Sequence, residues 1–236
     1  MIKKMLWLAC GLAGMTQVQA QKYYLGIQAA PELHYRTLHS SQPSFSSFMA
    51  YRDQDETPII SFSAGVIGGM SLTKRLKLET GILIQRAGFQ NKEQPLIFEN
   101  MIDPVAGTIT NVGTAGNIKR KEHITYLNIP VLAHFNVLKL GGVQLYASAG
   151  VINGIKLTAW YKINMMGRSQ KTTDFSINSY KMAALAGIGA SAPLPARLQL
   201  RVAPVFQYDI LASGQSEVYT TRLWNAGINC SLIRSI

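Results

Sequence analysis

The sequence predicts an all-β chain closed as an eight-stranded antiparallel up-and-down transmembrane β-barrel. Three observations predict it. Apolar and polar residues alternate with a period of two through eight segments, and clean helical periodicity is missing. The connections between those segments alternate strictly between short and long. Charged residues make up only 15% of the chain, against about 25% in an ordinary soluble domain, and they gather in the connections. The chain has 236 residues, 47% of them apolar, which suits one domain and is too apolar for long disorder.

Residues 1–20 read as a signal peptide. Lys3 and Lys4 precede an apolar stretch from Met5 to Met15, and Val18-Gln19-Ala20 places small residues before a cleavage site ahead of Gln21. The stretch is too short to span a bilayer stably. Residues 21–236 are then the barrel domain. Loss of Lys3 and Lys4 lowers the net charge of +11 by two, to +9, and leaves Cys230 as the only cysteine, so no intramolecular disulfide is expected.

The first strand carries Tyr23, Leu25, Ile27 and Ala29 on one face, with Tyr24, Gly26, Gln28, Glu32 and His34 on the other. The second sets Phe62, Ala64, Val66, Met70 and Leu72 against serines and glycines. In the third, Leu76, Leu78, Thr80, Ile82 and Ile84 oppose Lys77, Glu79, Gly81, Leu83 and Gln85. The fourth runs from Thr125 to Val137 with Tyr126, Asn128, Pro130, Leu132 and His134 on its polar side. The fifth spans Val143 to Val151, and the sixth residues 181–192. In the seventh, Leu198, Leu200, Val202, Phe206 and Tyr208 oppose Gln199, Arg201, Gln207 and Asp209. The eighth pairs Trp224, Ala226, Ile228, Cys230 and Leu232 with Asn225, Gly227, Asn229 and Ser231.

Short turns are expected near residues 74, 140 and 194, and long loops over 36–58, 89–122, 157–178 and 211–220. In a meander this gathers all the long loops at one end, as in barrels with short periplasmic turns and long external loops. The polar faces hold Ser, Asn, Gln, Gly and Tyr with few charges, which suits a narrow lumen better than a water-exposed wall. The apolar faces then meet lipid, and closure satisfies every backbone group. Tyr23, Phe62, Phe135, Phe206, Tyr208 and Trp224 lie near strand ends on that face, where aromatic girdles belong. A soluble exported ligand-binding barrel is the alternative, with the same apolar face turned inward.

The segment His123-Ile-Thr-Tyr-Leu-Asn-Ile-Pro-Val-Leu-Ala-His134 carries a Tyr-Leu-x-Ile-Pro strand. With Phe62-Ser-Ala-Gly65, Leu76-Lys-Leu-Glu-Thr-Gly81, Tyr146-Ala-Ser-Ala-Gly150 and Trp224-Asn-Ala-Gly-Ile228, it resembles the small outer-membrane β-barrel family of Bacteroidota, the porin-family or PorT-like proteins. The resemblance covers nearly all of the chain after residue 20. It implies the fold and an outer-membrane location, with outer-membrane lipid and the barrel-assembly machinery as partners.

No phosphate loop, dinucleotide glycine motif, zinc-binding histidine pair or nucleophile elbow occurs, so neither enzymatic activity nor a cofactor is expected. His34, His39, His123 and His134 are scattered, and only His34 and His134 share the inward face, so no metal centre is expected. His123 with Asp103 or Asp174 is the one conceivable hydrolytic pairing, and no spacing fixes it. Lys77, Glu79 and Arg201 face inward and are expected to form a charge network that closes the lumen, since buried charges must be paired. A narrow channel or a secretion accessory is the alternative. Phe98, Met101 and Ile102 make the second long loop apolar enough to serve as a contact surface for an unidentified protein or glycan. Lys119, Arg120 and Lys121 form the one dense basic run; no basic stripe for nucleic acid is present. The expected state is a monomeric, non-enzymatic surface barrel.

Overall fold

The computed structural model describes residues 23–40, 42–102, 109–165, 168–173, 177–215 and 219–236. The leader expected over 1–20 lies outside the described residues, as do Asp103 and Asp174. Among the described residues eleven strands form one antiparallel sheet. They are β1 (Tyr23–His39), β2 (Glu56–Ser71), β3 (Leu76–Asn91), β4 (Gln94–Ile102), β5 (Ile109–Leu140), β6 (Val143–Met165), β7 (Arg168–Thr173), β8 (Tyr180–Pro193), β9 (Leu198–Asp209), β10 (Gly214–Gln215) and β11 (Thr220–Ser235). Eight of them close a ring in the order β1-β2-β3-β5-β6-β8-β9-β11, with β11 returning to pair β1. The expected eight-stranded up-and-down barrel is the observed one.

Alternation places the side chains as the composition of the two faces requires. Leu25, Ile27, Val66, Ile82, Val131, Phe206 and Ile188 stand exposed on the outer wall, while Tyr24, Gln28, Glu79, Gln85, Asn128 and Arg201 are buried inside. Such a wall is stable in lipid and not in water. Glycines let inward side chains fit: a Cβ on Gly69 would lie 2.4 Å from the Tyr24 ring carbon Cζ. Gly88 is required for a second reason. Its φ is +150°, and a Cβ there would lie 2.0 Å from the Glu122 carbonyl oxygen.

The strands run well past what a bilayer needs. A crossing takes about 9–11 residues, whereas β5 has 32 and β6 has 23. The long loops are therefore shorter than expected. Most of 89–122 is strand: β3 continues to Asn91, and β4 forms a hairpin with the start of β5. Phe98, Met101 and Ile102 are strand residues of that hairpin, paired with Val112, Thr110 and Ile109 through an irregular register, and not part of an open loop. The segment 157–178 likewise carries the rest of β6 and β7, and 36–58 carries a ten-residue helix, α1 (Ser46–Asp55). Above the lipid both faces of a strand meet water, so the apolar–polar contrast fades while backbone pairing continues. Periodicity therefore underestimates such strands.

Candidate functional site: the charged lumen and the cup above it

Inside the barrel, polar side chains meet in two layers with apolar residues between them. The layer nearer the short turns is centred on Glu79 of β3 and Arg201 of β9, four strands apart in a ring of eight and so on opposite walls. Arg201 Nη2 donates to Glu79 Oε2, and both residues are buried. The same carboxylate accepts from the Tyr24 hydroxyl at 3.0 Å, and His134 Nε2 lies 3.3 Å from its other oxygen, within ion-pair reach. The Arg201 guanidinium also lies 5.2 Å from the Tyr24 ring centre. The pair is a strut across the lumen.

Lys77 does not belong to it. Alternation turns Lys77 inward, but it stands one residue from the start of β3, is only half-buried, and makes no ion pair among the described residues. At the turn end of the lumen this half-buried lysine stands within electrostatic range of Glu79 and Arg201 without pairing with either. The expected three-member network is therefore a Glu79–Arg201 pair with Tyr24 and His134 around it.

Leu132, Tyr146, Ile152, Leu185, Ala203 and Val205 form an apolar plug. The second polar layer is centred on Glu32 of β1. Glu32 accepts from Ser63 Oγ at 2.7 Å and Gln85 Nε2 at 2.8 Å, with His34 Nε2 at 2.6 Å and Asn225 Nδ2 at 3.5 Å. Gln85 Oε1 in turn accepts from Lys181 Nζ at 2.7 Å and Asn128 Nδ2 at 2.9 Å. The Lys181 ammonium lies 4.6 Å from the Tyr126 ring centre and 3.9 Å from Asp209. Alternation places Asp209 on the inward face but does not single out Lys181 or the contact between them. Both lie at strand ends, and what joins them is the register across the closed ring. Around the Glu79–Arg201 strut the lumen keeps a cavity of about 10 Å³, at most the room of one water.

Above the second layer the barrel widens into a cup of about 420 Å³. Helix α1 forms part of its wall. Arg36, fully buried on β1, donates from Nε to Glu56 and from Nη1 to Asp53 at 2.9 Å, while its guanidinium lies 5.7 Å from the rings of both Tyr35 and Phe89. Arg52 Nε donates to the other oxygen of Glu56 at 2.6 Å, and its Nη1 donates to the Tyr219 hydroxyl at 3.2 Å. Across the cup Arg120 pairs with Glu122 at 2.7 Å and lies over the Tyr161 ring at 4.4 Å. The lining thus combines Phe48, Tyr51 and Tyr219 with carboxylates and guanidinium groups. Because Arg36 holds both Asp53 and Glu56, its replacement by methionine should release α1. Amide exchange over residues 46–55 should quicken by orders of magnitude while the ring strands stay protected; unchanged exchange would place the anchor elsewhere.

His123 faces outward, its ring centre 4.4 Å from that of Trp160 and away from the cup, and the carboxylates named beside it in the sequence, Asp103 and Asp174, lie outside the described residues. Burial, followed by the charges of Arg86, Lys121, Lys171 and Lys162, lowers its pKa from the ordinary imidazole value. Among the described residues no cluster of His, Cys, Asp or Glu could hold a metal.

Residues 19–209 match the family described as outer membrane protein beta-barrel domain. No curated protein matches the chain. Solved structures similar to it include neisserial surface protein A, at 11% identity and TM-score 0.39, covering 89% of this chain and 96% of that one. The attachment invasion locus protein Ail of Yersinia pestis is similar at 9% identity and TM-score 0.32, covering 89% and 97%. The outer membrane protease OmpT of Escherichia coli is similar at 7% identity and TM-score 0.43, covering 91% and 97%.

Proposed function

This chain belongs to the outer membrane protein beta-barrel domain family, and from that premise we propose that it is a closed, non-enzymatic surface barrel that binds ligand at its external cup. It is an outer-membrane protein. The observation that carries the reading is the contrast along the barrel axis: about 10 Å³ of free space at the charged strut, against a cup of about 420 Å³ above it. A solute has room to dock and none to pass. Within the family, the Tyr126-Leu-Asn-Ile-Pro130 strand supports placement with the PorT-like barrels of Bacteroidota.

The cup suits a glycan better than an ion. Aromatic rings offer faces to sugar rings, and side chains of both signs offer donors and acceptors without a net field for one charge. A monomer is sufficient, because the ring is complete and the cup is built within one chain. Two measurements test the reading. In planar bilayers the refolded protein should give no conductance steps, and steady conductance would overturn the closed lumen. On a glycan array it should retain at least one class of saccharide, with retention lost in Tyr219→Ala. Retention unaffected by Tyr219→Ala, or none at all, would overturn the cup as the binding place.

A further inference from the structure

The basic run Lys119–Lys121 divides between the two faces of β5. Arg120 turns into the cup, where it meets Glu122 and Tyr161. Lys119 and Lys121 share the outer face with His123 and Thr125, which continue the lipid-facing row of the strand. The pairing register then brings further lysines beside them. Lys121 lies directly opposite Lys162 of β6, and Lys162 directly opposite Lys171 of β7. Directly opposed residues share a face, and like charges so placed destabilise a sheet. Three lysines in one row across three strands therefore call for a counter-charge. No carboxylate among the described residues pairs with any of them, although five other lysines and arginines among those residues have such partners.

The row has a defined height. The exposed Met165 of β6 falls by register on the opposite face, and on the outer face the last exposed aliphatic side chain is Leu157, five residues below Lys162. At the rise and tilt of barrel strands that is roughly 12 Å above the apolar band. Ordinary headgroup regions extend only about 5–8 Å beyond the hydrocarbon, so the row stands over lipid whose headgroup is tall. Arg86 marks a lower tier: it pairs with Thr125 and lies 6.0 Å from the Phe62 ring centre. Between the tiers His123 and Trp160 form an aromatic platform, with the Lys171 ammonium 4.2 Å from the Trp160 ring centre.

We propose that the outer wall of β3, β5, β6 and β7 is a docking surface for the phosphate groups of an outer-leaflet glycolipid, held by Lys121, Lys162 and Lys171 above and by Arg86 of β3 below. The phosphates supply the counter-charge that the lysine row lacks, and the sugar headgroup supplies the height. The site is on the outside of the barrel and does not depend on what the cup binds.

The test is a titration of the folded full chain in neutral detergent with rough lipopolysaccharide bearing a phosphorylated inner core. It is followed by tryptophan emission, with Trp160→Phe identifying the reporting residue. Saturable binding is expected, and the K121Q/K162Q/K171Q variant should raise the half-saturation point by at least about tenfold, since each lysine near an anionic surface contributes about a fivefold factor. The heat-dependent gel shift of that variant shows whether it has folded. A second arm needs no variant: the same lipopolysaccharide stripped of phosphate should bind the natural chain at least about tenfold more weakly. Equal binding of the stripped lipid, or an unchanged half-saturation point in the folded variant, would overturn the proposal. So would equal binding to phosphatidylglycerol micelles, which would indicate a short headgroup, or displacement by millimolar inorganic phosphate, which would indicate a soluble-anion site.

Discussion

Arg201→Leu should destabilise the barrel by about 3–5 kcal/mol, because it leaves the Glu79 carboxylate buried without its cation. Tyr24, which donates to that carboxylate at 3.0 Å, and His134 at 3.3 Å cannot replace a guanidinium on the far wall. Urea unfolding in lipid vesicles, read by the loss of the fast-migrating band on unheated gels, measures the effect. The companion experiment replaces both partners, as Glu79→Gln with Arg201→Met. Removing the two charges together should restore most of the loss, since a buried pair often costs as much in desolvation as it returns in attraction. A double variant as unstable as Arg201→Leu would mean that the strut acts by packing and not by charge.

Glu32→Ala should cost a similar amount, roughly 3–5 kcal/mol, by a different route. Four side chains from four other positions converge on this carboxylate, namely His34, Ser63, Gln85 and Asn225. Ser63 and His34 are left without this acceptor, at a desolvation penalty of about 1–3 kcal/mol each, while Gln85 and Asn225 keep only the Gln207 carbonyl oxygen that they share. Lys181 also feels the loss, because it is held by Gln85, and Gln85 is oriented by Glu32. Glu32→Gln keeps a carbonyl oxygen for some of those donors and should be milder. If the two substitutions give the same midpoint, the carboxylate is not the centre of the layer.

How much of this was legible in the sequence depended on where each residue sits relative to the lipid. Within the bilayer the outer face tolerates only apolar side chains and the lumen excludes them, so alternation from Tyr23 to Leu33 or from Leu76 to Gln85 reveals both strand and facing. Glu79 and Arg201 could be assigned to the lumen on that basis, and Glu32 and His34 to the inner face of β1. Their contacts could not be read, because Glu32 meets Gln85 two strands away and the match depends on the shear of the closed ring. Lys77 shows the limit from the other side. Its parity is right, but parity says nothing of depth, and at the turn end Lys77 is only half-buried and pairs with neither Glu79 nor Arg201. The cup was hidden for a third reason. Its wall includes α1, whose sequence has weak helical patterning and no capping side chain, and which is held by Arg36, a residue of a different element. Above the membrane β7 and the upper parts of β5 and β6 mix polar and apolar residues without a clean period of two, and β4 is apolar in runs rather than in alternation, so periodicity does not separate them from loops.

The seam between β1 and β11 has a consequence in time. These are the first and last strands of the sheet, and fourteen residue pairs join them, from Tyr24 with Ser235 to His39 with Thr220. Every other neighbour in the ring is close in sequence, but β1 must wait, one edge bare, until β11 has been made. An unpaired edge of that length invites pairing with foreign strands, and contacts this distant in sequence form slowly. Synthesis and closure are thus separate events for this molecule. During the interval between them, β1 depends on something other than its own partner strand to keep it from aggregating.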